Sequence, residues 1–274
     1  MNLWIITVNF GDTTATNSLI ESLFSKNNNC SIKVGIADNA TSATSVSQLK
    51  AIIDQSSLDI RIFPNNKNLY YWPAVKKTIN NLKDQIGSYP DWVIVCNNDV
   101  IFSDKLFFQK LLNVDIKKYP IIGPSIINSN KFDSNPFMKK PLTKIQKLFW
   151  RLYFSSYSIS IILLIINKLL KSYKFNSKLK NINGKNKVYA VHGSTILFSN
   201  YFFENGGYFD DNFEMYGEEL TVAEIAKKLN FPITYYPELK VTHLEHNTTK
   251  RIDRRLLFRK AKKSYKYFIS NYFK

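Results

Sequence analysis

The sequence predicts an α/β protein: an open, mostly parallel twisted sheet with helices on both faces, followed by a basic C-terminal amphipathic helix. Three observations predict it. Short β-rich runs alternate with stretches of helical periodicity through the first 130 residues, as strand–helix–strand units do. Asn- and Asp-rich polar residues stand directly after those runs, where such sheets bind ligands. The 274 residues are 45% hydrophobic and 15% aromatic, enough apolar surface for a large core and too much for a disordered chain.

The elements follow in order. Leu3–Asn9 is an apolar run ending at a turn and reads as the first strand. Thr13–Lys26 places Ala15, Leu19, Ile20, Leu23 and Phe24 at helical spacing. Ile32–Ala37 is a second strand, followed by a polar turn from Asp38 and a helix near Val46–Ile53. Asp59–Phe63 reads as a third strand, Tyr70–Leu82 as a helix, and Trp92–Cys96 as a fully buried fourth strand. Val188–Asn200 returns to strand-like composition, and a helix near Leu220–Leu229 precedes a strand around Ile233–Tyr236.

Charge divides the chain. Residues 131–187 carry 13 Lys and Arg against one Asp, and residues 250–274 carry ten against one Asp. Taking these +12 and +9 from the total of +17 leaves −4 for the rest, a mildly acidic body with two basic attachments. Within the first attachment, Leu152–Asn167 is uncharged, shorter than the roughly 20 apolar residues of a membrane span. It reads as a segment dipping into one leaflet or as a core helix. In the second, Leu257, Ala261, Tyr265, Phe268 and Tyr272 form an apolar stripe, with most of the Lys and Arg off it. The stripe alone suits docking onto the body; the added basic face favours a membrane surface. Met1-Asn2 lacks the basic start of a signal peptide, and Leu3–Asn9 is too short for its apolar core. Two cysteines, Cys30 and Cys96, exclude a disulfide framework, so a reduced, cytoplasmic protein is expected.

The chemistry should stand after the strands. Asn97-Asn98-Asp99 follows the buried fourth strand, where a carboxylate is placed to hold Mg²⁺ or Mn²⁺ against phosphate oxygens; such triplets also simply make turns. Glu218-Glu219 opens a helix and suits a general base, or merely complements the helix dipole. His243 suits a metal shell or a strand-end hydrogen bond. His192-Gly193-Ser194 reads first as a structural turn and second as part of an acceptor pocket.

Together the motifs resemble those of another group of proteins. Val8-Asn9-Phe10, Asp38-Asn39, Asn65-x-x-Asn68-Leu69, Asn97-Asn98-Asp99, Gly207-x-Phe209-Asp210, Tyr216-Gly217-Glu218-Glu219 and His243 occur in the order and spacing of the family 2 glycosyltransferases of GT-A fold. The likeness runs from about residue 3 to 247 and is nearest in appearance to bacterial rhamnosyl and galactosyl transferases of O-antigen and capsule polysaccharide.

It implies a GT-A domain over 1–249 and a separate helix over 250–274. The domain divides into a nucleotide-sugar half (1–130), a basic and apolar insertion (131–187) and an acceptor half (188–249). Asp38 would bond the pyrimidine of a UDP- or dTDP-sugar, with Asn9 and Phe10 near the base and Asn39, Asn65, Asn68, Asn97 and Asn98 in the donor site. Asn97 and Asp99 occupy the acidic positions of the family's Asp-x-Asp, making Asp99 the metal ligand, joined by His243. Glu219 stands for the catalytic Asp beside Glu218, and His192 and Tyr216 would face the acceptor. Asn97 removes one acid, Glu219 is one methylene longer than Asp, and Thr221 and Ile225 replace an Asp and an Arg common among relatives.

The expected protein is an inverting, Mn²⁺- or Mg²⁺-dependent hexosyltransferase at the inner face of the cytoplasmic membrane. Its acceptor would be a polyprenyl-diphosphate-linked glycan, and the apolar run Leu152–Ile166 and the stripe Leu257–Tyr272 would both insert. A nucleic-acid partner accounts for the basic tail but not for acids ending successive strands, which repel phosphate without a metal. A nucleotidylyltransferase would carry a Gly-rich basic loop where Gly11-Asp12-Thr13-Thr14 stands.

Overall fold

The computed structural model describes residues 1–24, 30–39, 42–173, 184–245 and 253–273. The expected end of the first helix at Lys26, the turn residues Ala40 and Thr41, and the basic residues within 174–183 and 246–252 lie outside the described residues.

The first strands form where the apolar runs lie: β1 (Asn2–Asn9), β2 (Ser31–Asp38), β3 (Asp59–Pro64) and β4 (Trp92–Cys96). Between them run α1 (Thr14–Phe24), α2 (Ala43–Asp54) and α3 (Trp72–Ile86). Ser42 caps α2 by accepting from Ser45 N, while Pro73 opens α3 and Gly87, at φ 90°, closes it. β5 (Val100–Ile101), α4 (Phe107–Leu112), β6 (Ile121–Asn128), α5 (Lys144–Tyr153) and α6 (Tyr157–Tyr173) follow. The second half adds β7 (Asn186–Val188), β8 (Thr195–Ser199), α7 (Asn200–Glu204), α8 (Glu218–Lys228), β9 (Ile233–His243) and α9 (Arg254–Tyr272). The strand-like stretch 188–200 is therefore two strands, separated by the turn His192-Gly193-Ser194, and the strand expected at 233–236 runs on to His243.

The sheet has the order β3-β2-β1-β4-β8-β6-β9-β5, with β7 also on β9. The first four strands are parallel, and β8 lies antiparallel between β4 and β6. Because β9 runs parallel to β6, the strands β1, β2, β3, β4, β6 and β9 all point one way. Their carboxyl ends, and the start of β8, share one edge. Chain order reverses between β1 and β4, the place where open α/β sheets make a ligand crevice.

Side chains alternate across the pleat, so each strand feeds two cores. Leu3 and Ile5 of β1 join Leu19, Leu23, Leu49 and Phe107 on one face. Trp4 and Ile6 join Trp72, Val75, Phe209, Val222 and Ile225 on the other. Trp92–Cys96 is buried along its whole length, as a central strand covered on both faces should be.

Two expectations for the attachments need correction. Leu152–Asn167 is neither a core helix nor one continuous segment. α5 ends at Tyr153, a turn through Phe154–Ser156 intervenes, and Ser155 Oγ donates to Leu152 O at 2.6 Å. α5 has no buried residue, and Ile145, Leu148 and Leu152 of α5 and Ile159, Ile161, Ile162, Leu164, Ile165 and Ile166 of α6 stand exposed. Among the described residues no helix is long and apolar enough to cross a membrane. The stripe on α9 is not available for insertion, because it is turned inward. Phe258 packs among Tyr153, Phe154 and Tyr157, Tyr265 stacks on Phe154 at 4.6 Å, and Phe268 is buried. The aromatic residues at the α5–α6 turn offer that stripe an apolar partner of matching shape.

Candidate active site

At the ends of β1, β2 and β3, Asn9, Asp38, Asn39 and Asn65 are all buried, and backbone bonds from Asn39 N to Asn9 O and from Asn65 N to Asp38 O join their side-chain hydrogen bonds into one network. Asn9 Nδ2 donates to Asp38 Oδ1 and to Ser45 Oγ, each at 3.2 Å, while its Oδ1 accepts from Thr16 Oγ1 at 2.8 Å. Ser45 Oγ donates in turn to Asp38 Oδ1 at 3.0 Å. Asn39 Oδ1 accepts from Asn65 Nδ2 at 2.9 Å, and Lys77 Nζ donates to Asn65 Oδ1 at 2.8 Å. Buried polar groups this well matched hold one geometry. Both ends of the Asn9 amide are engaged within the protein, so Asn9 fixes Asp38 from beneath. Phe10 is exposed at the mouth, and Asn68 turns its carboxamide to Tyr70 N at 2.8 Å.

Tyr70 stands at φ 63°, a left-handed conformation uncommon for a bulky residue. Its carbonyl accepts from Asn39 Nδ2 at 2.8 Å, which ties the wall after β3 to the end of β2. Backbone strain of this kind persists where neighbours over-determine it.

Asn97, Asn98 and Asp99 leave β4 toward the same edge. The two-residue strand β5 pairs Val100 with His243, and Leu244 N bonds Asp99 O at 3.0 Å. That register brings His243 Nε2 to 3.0 Å from Asp99 Oδ1 and to 3.4 Å from Asn97 Nδ2. Asn98 Nδ2 donates to Thr16 Oγ1 at 3.1 Å and so joins the donor-side network. Among the described residues no three His, Cys, Asp or Glu side chains converge as a metal cage. Asp99 and His243 fit a cation that draws its remaining oxygen ligands from a bound diphosphate, as Mg²⁺ and Mn²⁺ commonly do.

Glu218 and Glu219 open α8 after Tyr216 at φ 64° and Gly217 at φ 126°. Gly193 N donates to Glu219 Oε1 at 3.1 Å. A Cβ on Gly193 would lie 2.9 Å from that oxygen, so a larger residue there would push the Glu219 carboxylate aside. Burial, with the Glu219 charge second, pushes the Glu218 carboxyl up to about 8. His192 is half-buried, donates its N–H to Asn135 Oδ1 at 2.7 Å, and pairs Nδ1 with Ser194 Oγ at 2.9 Å. Burial lowers its imidazole pKa despite the opposing Glu219 charge, and its ring lies 6.2 Å from that of His243. The His192-Gly193-Ser194 turn thus supports the Glu219 carboxylate through Gly193 N. Tyr216 is exposed beside the pair.

Reading the sequence missed three features. Tyr71 Oη donates to Gly193 O at 3.4 Å, and its phenol is pushed well up by burial first and then by the negative charges of Cys96, Glu218, Asp99 and Glu219. Ser45, on the first turn of α2, completes the Asp38 network. α9 clasps the loop before α8. Lys260 Nζ contacts Tyr70 Oη, donates to Glu214 Oε2 at 2.6 Å, and lies 4.3 Å from the Tyr70 ring centre. Ser264 Oγ donates to Met215 O at 2.5 Å, and Tyr267 and Tyr272 both donate to the buried Asp210. Lys260, Ser264, Tyr267 and Tyr272 follow at steps of four, three and five, one face of a helix. That periodicity was the available signal, and the partner loop was not.

No protein-family model matches the chain, and no curated protein matches it in sequence. Solved structures do match it in fold. The mannosyltransferase PcManGT from Pyrobaculum calidifontis, in complex with GDP-Man and Mn²⁺, aligns over 90% of this chain and 57% of its own at 10% identity, with a TM-score of 0.54. S. aureus TarS 1–349, in complex with UDP-GlcNAc, aligns over 92% and 62% at 10% identity, with a TM-score of 0.57. GalNAc-T7, with UDP, GalNAc and Mn²⁺, aligns over 89% and 44% at 12% identity, with a TM-score of 0.54. The chain spans less than two thirds of each of these proteins. What they share with it is architecture: the chain has the GT-A fold.

Proposed function

We propose that this protein is an inverting, metal-dependent glycosyltransferase. It moves a hexose from a UDP- or dTDP-sugar to a polyprenyl-diphosphate-linked glycan at the inner face of the cytoplasmic membrane, in the synthesis of bacterial surface polysaccharide. The observation that carries the reading is convergence. Asp38, the Asp99–His243 pair and Glu219 come from separate elements and meet at the one sheet edge where this fold makes its crevice. The neighbours of like fold were captured with nucleotide-sugars or their parts, two of them with Mn²⁺.

The residues divide the work. Asp38, fixed by Asn9 and Ser45, presents a carboxylate to the imide N–H of a uracil or thymine. Asp99 and His243 hold the cation, which when bound supplies positive charge beside the departing diphosphate. Glu219, oriented by Gly193 N–H, accepts the proton of the acceptor hydroxyl. That oxygen bonds to the anomeric carbon as the bond to the diphosphate oxygen breaks on the opposite side, so the configuration inverts. Glu218, protonated near neutral pH, cannot serve as that base. Tyr71, through its hydroxyl at Gly193 O, supports the turn whose N–H orients Glu219.

A calorimetric screen of UDP-, dTDP- and GDP-sugars with and without Mn²⁺, followed by a donor-hydrolysis assay, tests this. Metal-dependent binding of a pyrimidine nucleotide-sugar is expected. Binding of GDP-sugars alone would remove the pyrimidine assignment, and binding of none would remove the transferase reading.

A further inference from the structure

The α5–α6 hairpin presents apolar surface that the protein does not bury. Ile145, Leu148 and Leu152 fall at i, i+3 and i+7 of α5 and are 81%, 57% and 50% exposed. Ile161, Ile162 and Ile165 form a matching stripe on α6, at 39%, 55% and 55%. Isolated exposed aliphatics are ordinary; two helical stripes of them on adjacent helices mark an interaction surface.

Charge selects the partner. α5 contains Lys144, Lys147 and Arg151, and α9 contains seven Lys and Arg, while neither helix has an acidic residue. The two are joined: Lys147 Nζ lies 3.8 Å from the Phe273 ring centre, Arg255 lies over Tyr157, and Lys262 donates to Ser155 O at 2.6 Å. A second copy that met this face with its own, as in an isologous dimer, would bring the same positive charge and be repelled. An anionic bilayer supplies both the apolar phase and the counter-charge, and helices with an apolar face and a Lys/Arg-rich flank lie in its interface.

We propose that the outer face of α5–α6 is a membrane-docking surface. Ile145, Leu148, Leu152, Ile161, Ile162 and Ile165 enter the acyl boundary, and the basic face of α9 binds the anionic headgroups. Insertion and electrostatic attraction are thereby divided between two elements, and the inward stripe of α9 serves to lock them together. The same helix clasps the loop before α8, so the docked platform is held rigidly to the candidate catalytic groups. This inference rests on the proposed function only for what the docked protein acts on.

The test needs no catalysis. The full chain is mixed with phosphatidylcholine vesicles, with or without phosphatidylglycerol, at low and high salt, and bound protein is read by co-sedimentation. Trp150 in α5 is partly exposed while Trp4, Trp72 and Trp92 are buried, so brominated lipid should quench chiefly Trp150. Binding to anionic vesicles that weakens with salt, with Trp150 quenching, is expected. Changing Ile145, Leu148 and Leu152 together to Ser should lower the partition coefficient about tenfold or more and abolish quenching, while circular dichroism and donor binding hold. Arg254→Ala with Arg259→Ala and Lys266→Ala should instead remove the salt dependence.

Absence of binding to anionic vesicles at low salt would overturn the proposal, as would equal binding by the triple Ser variant. A dimer seen by light scattering and lost in that variant would assign the face to a second copy. Donor binding without vesicle binding would defeat this inference and the membrane location with it, leaving glycosyl transfer standing; vesicle binding without donor binding would defeat the transferase reading alone.

Discussion

Replacing Glu218 by Gln should change how stability depends on pH, and the sign follows from burial. In the folded protein the Glu218 carboxyl is pushed up from 4.5 to about 8, by burial first and by the Glu219 charge second. Between those values the folded chain keeps a proton that the unfolded chain has released. Stability therefore falls as pH rises across that interval, by up to about 1.4 kcal/mol per pH unit, and the loss levels off above the folded value. Below the unfolded value both states are protonated and the group makes no difference. Gln keeps the size and the neutral form at every pH. The variant should thus gain on the wild type steadily through the interval, by at most about 5 kcal/mol at its upper end. Urea unfolding followed by tryptophan fluorescence, at unit steps from about pH 5 to about pH 9, measures the difference, in which titrating groups other than the coupled Glu219 cancel. Parallel stability curves would refute the claim that Glu218 is held protonated.

Four further outcomes are expected. Glu219→Gln should lower transfer by about 10²–10⁴-fold while donor affinity holds, and Glu218→Gln should do far less; the reverse ranking in a steady-state assay would move the base by one residue. Asp99→Ala should remove both Mn²⁺ binding, read by electron paramagnetic resonance, and turnover, with little loss of folding; undiminished turnover in chelator would contradict it. Asp38→Ala should weaken nucleotide affinity by roughly 1–3 kcal/mol in calorimetry, and equal affinity would place the base elsewhere. Asp210→Asn weakens two tyrosine hydrogen bonds at a buried carboxylate and should destabilise by about 1.5–3 kcal/mol, visible as a lowered Tm; an unchanged Tm would show that the clasp carries no stability.

The first half of the sheet was legible in the sequence because its signals are local. A continuous apolar run such as Trp92–Cys96 has few alternatives to a buried strand, and the residues ending parallel strands must share an edge. That logic found Asp38, Asn65 and Asp99 without any knowledge of the sheet order. It did not find β8 running antiparallel through the middle, since pairing partners far apart in sequence leave no local mark. Nor did it find Tyr71, whose aromatic character at a helix start reads as core until Gly193, Asp99 and the glutamates are placed around it. The α9 stripe shows the same limit from another side. Periodicity announces an apolar face, but whether it meets a bilayer or Phe154 depends on what the rest of the chain builds nearby.

The clasp on the loop before α8 has a consequence for the order in which a newly made chain becomes competent. Domains begin to fold from the N-terminus while synthesis continues. The Asp38 network needs nothing beyond Asn98, and β1 to β4 can pair once Cys96 has emerged. Asp210, Glu214 and Met215 must wait for partners 46 to 62 residues further on. A nascent chain therefore sets the Asp38 network well before the loop leading into Glu218 and Glu219 is fixed.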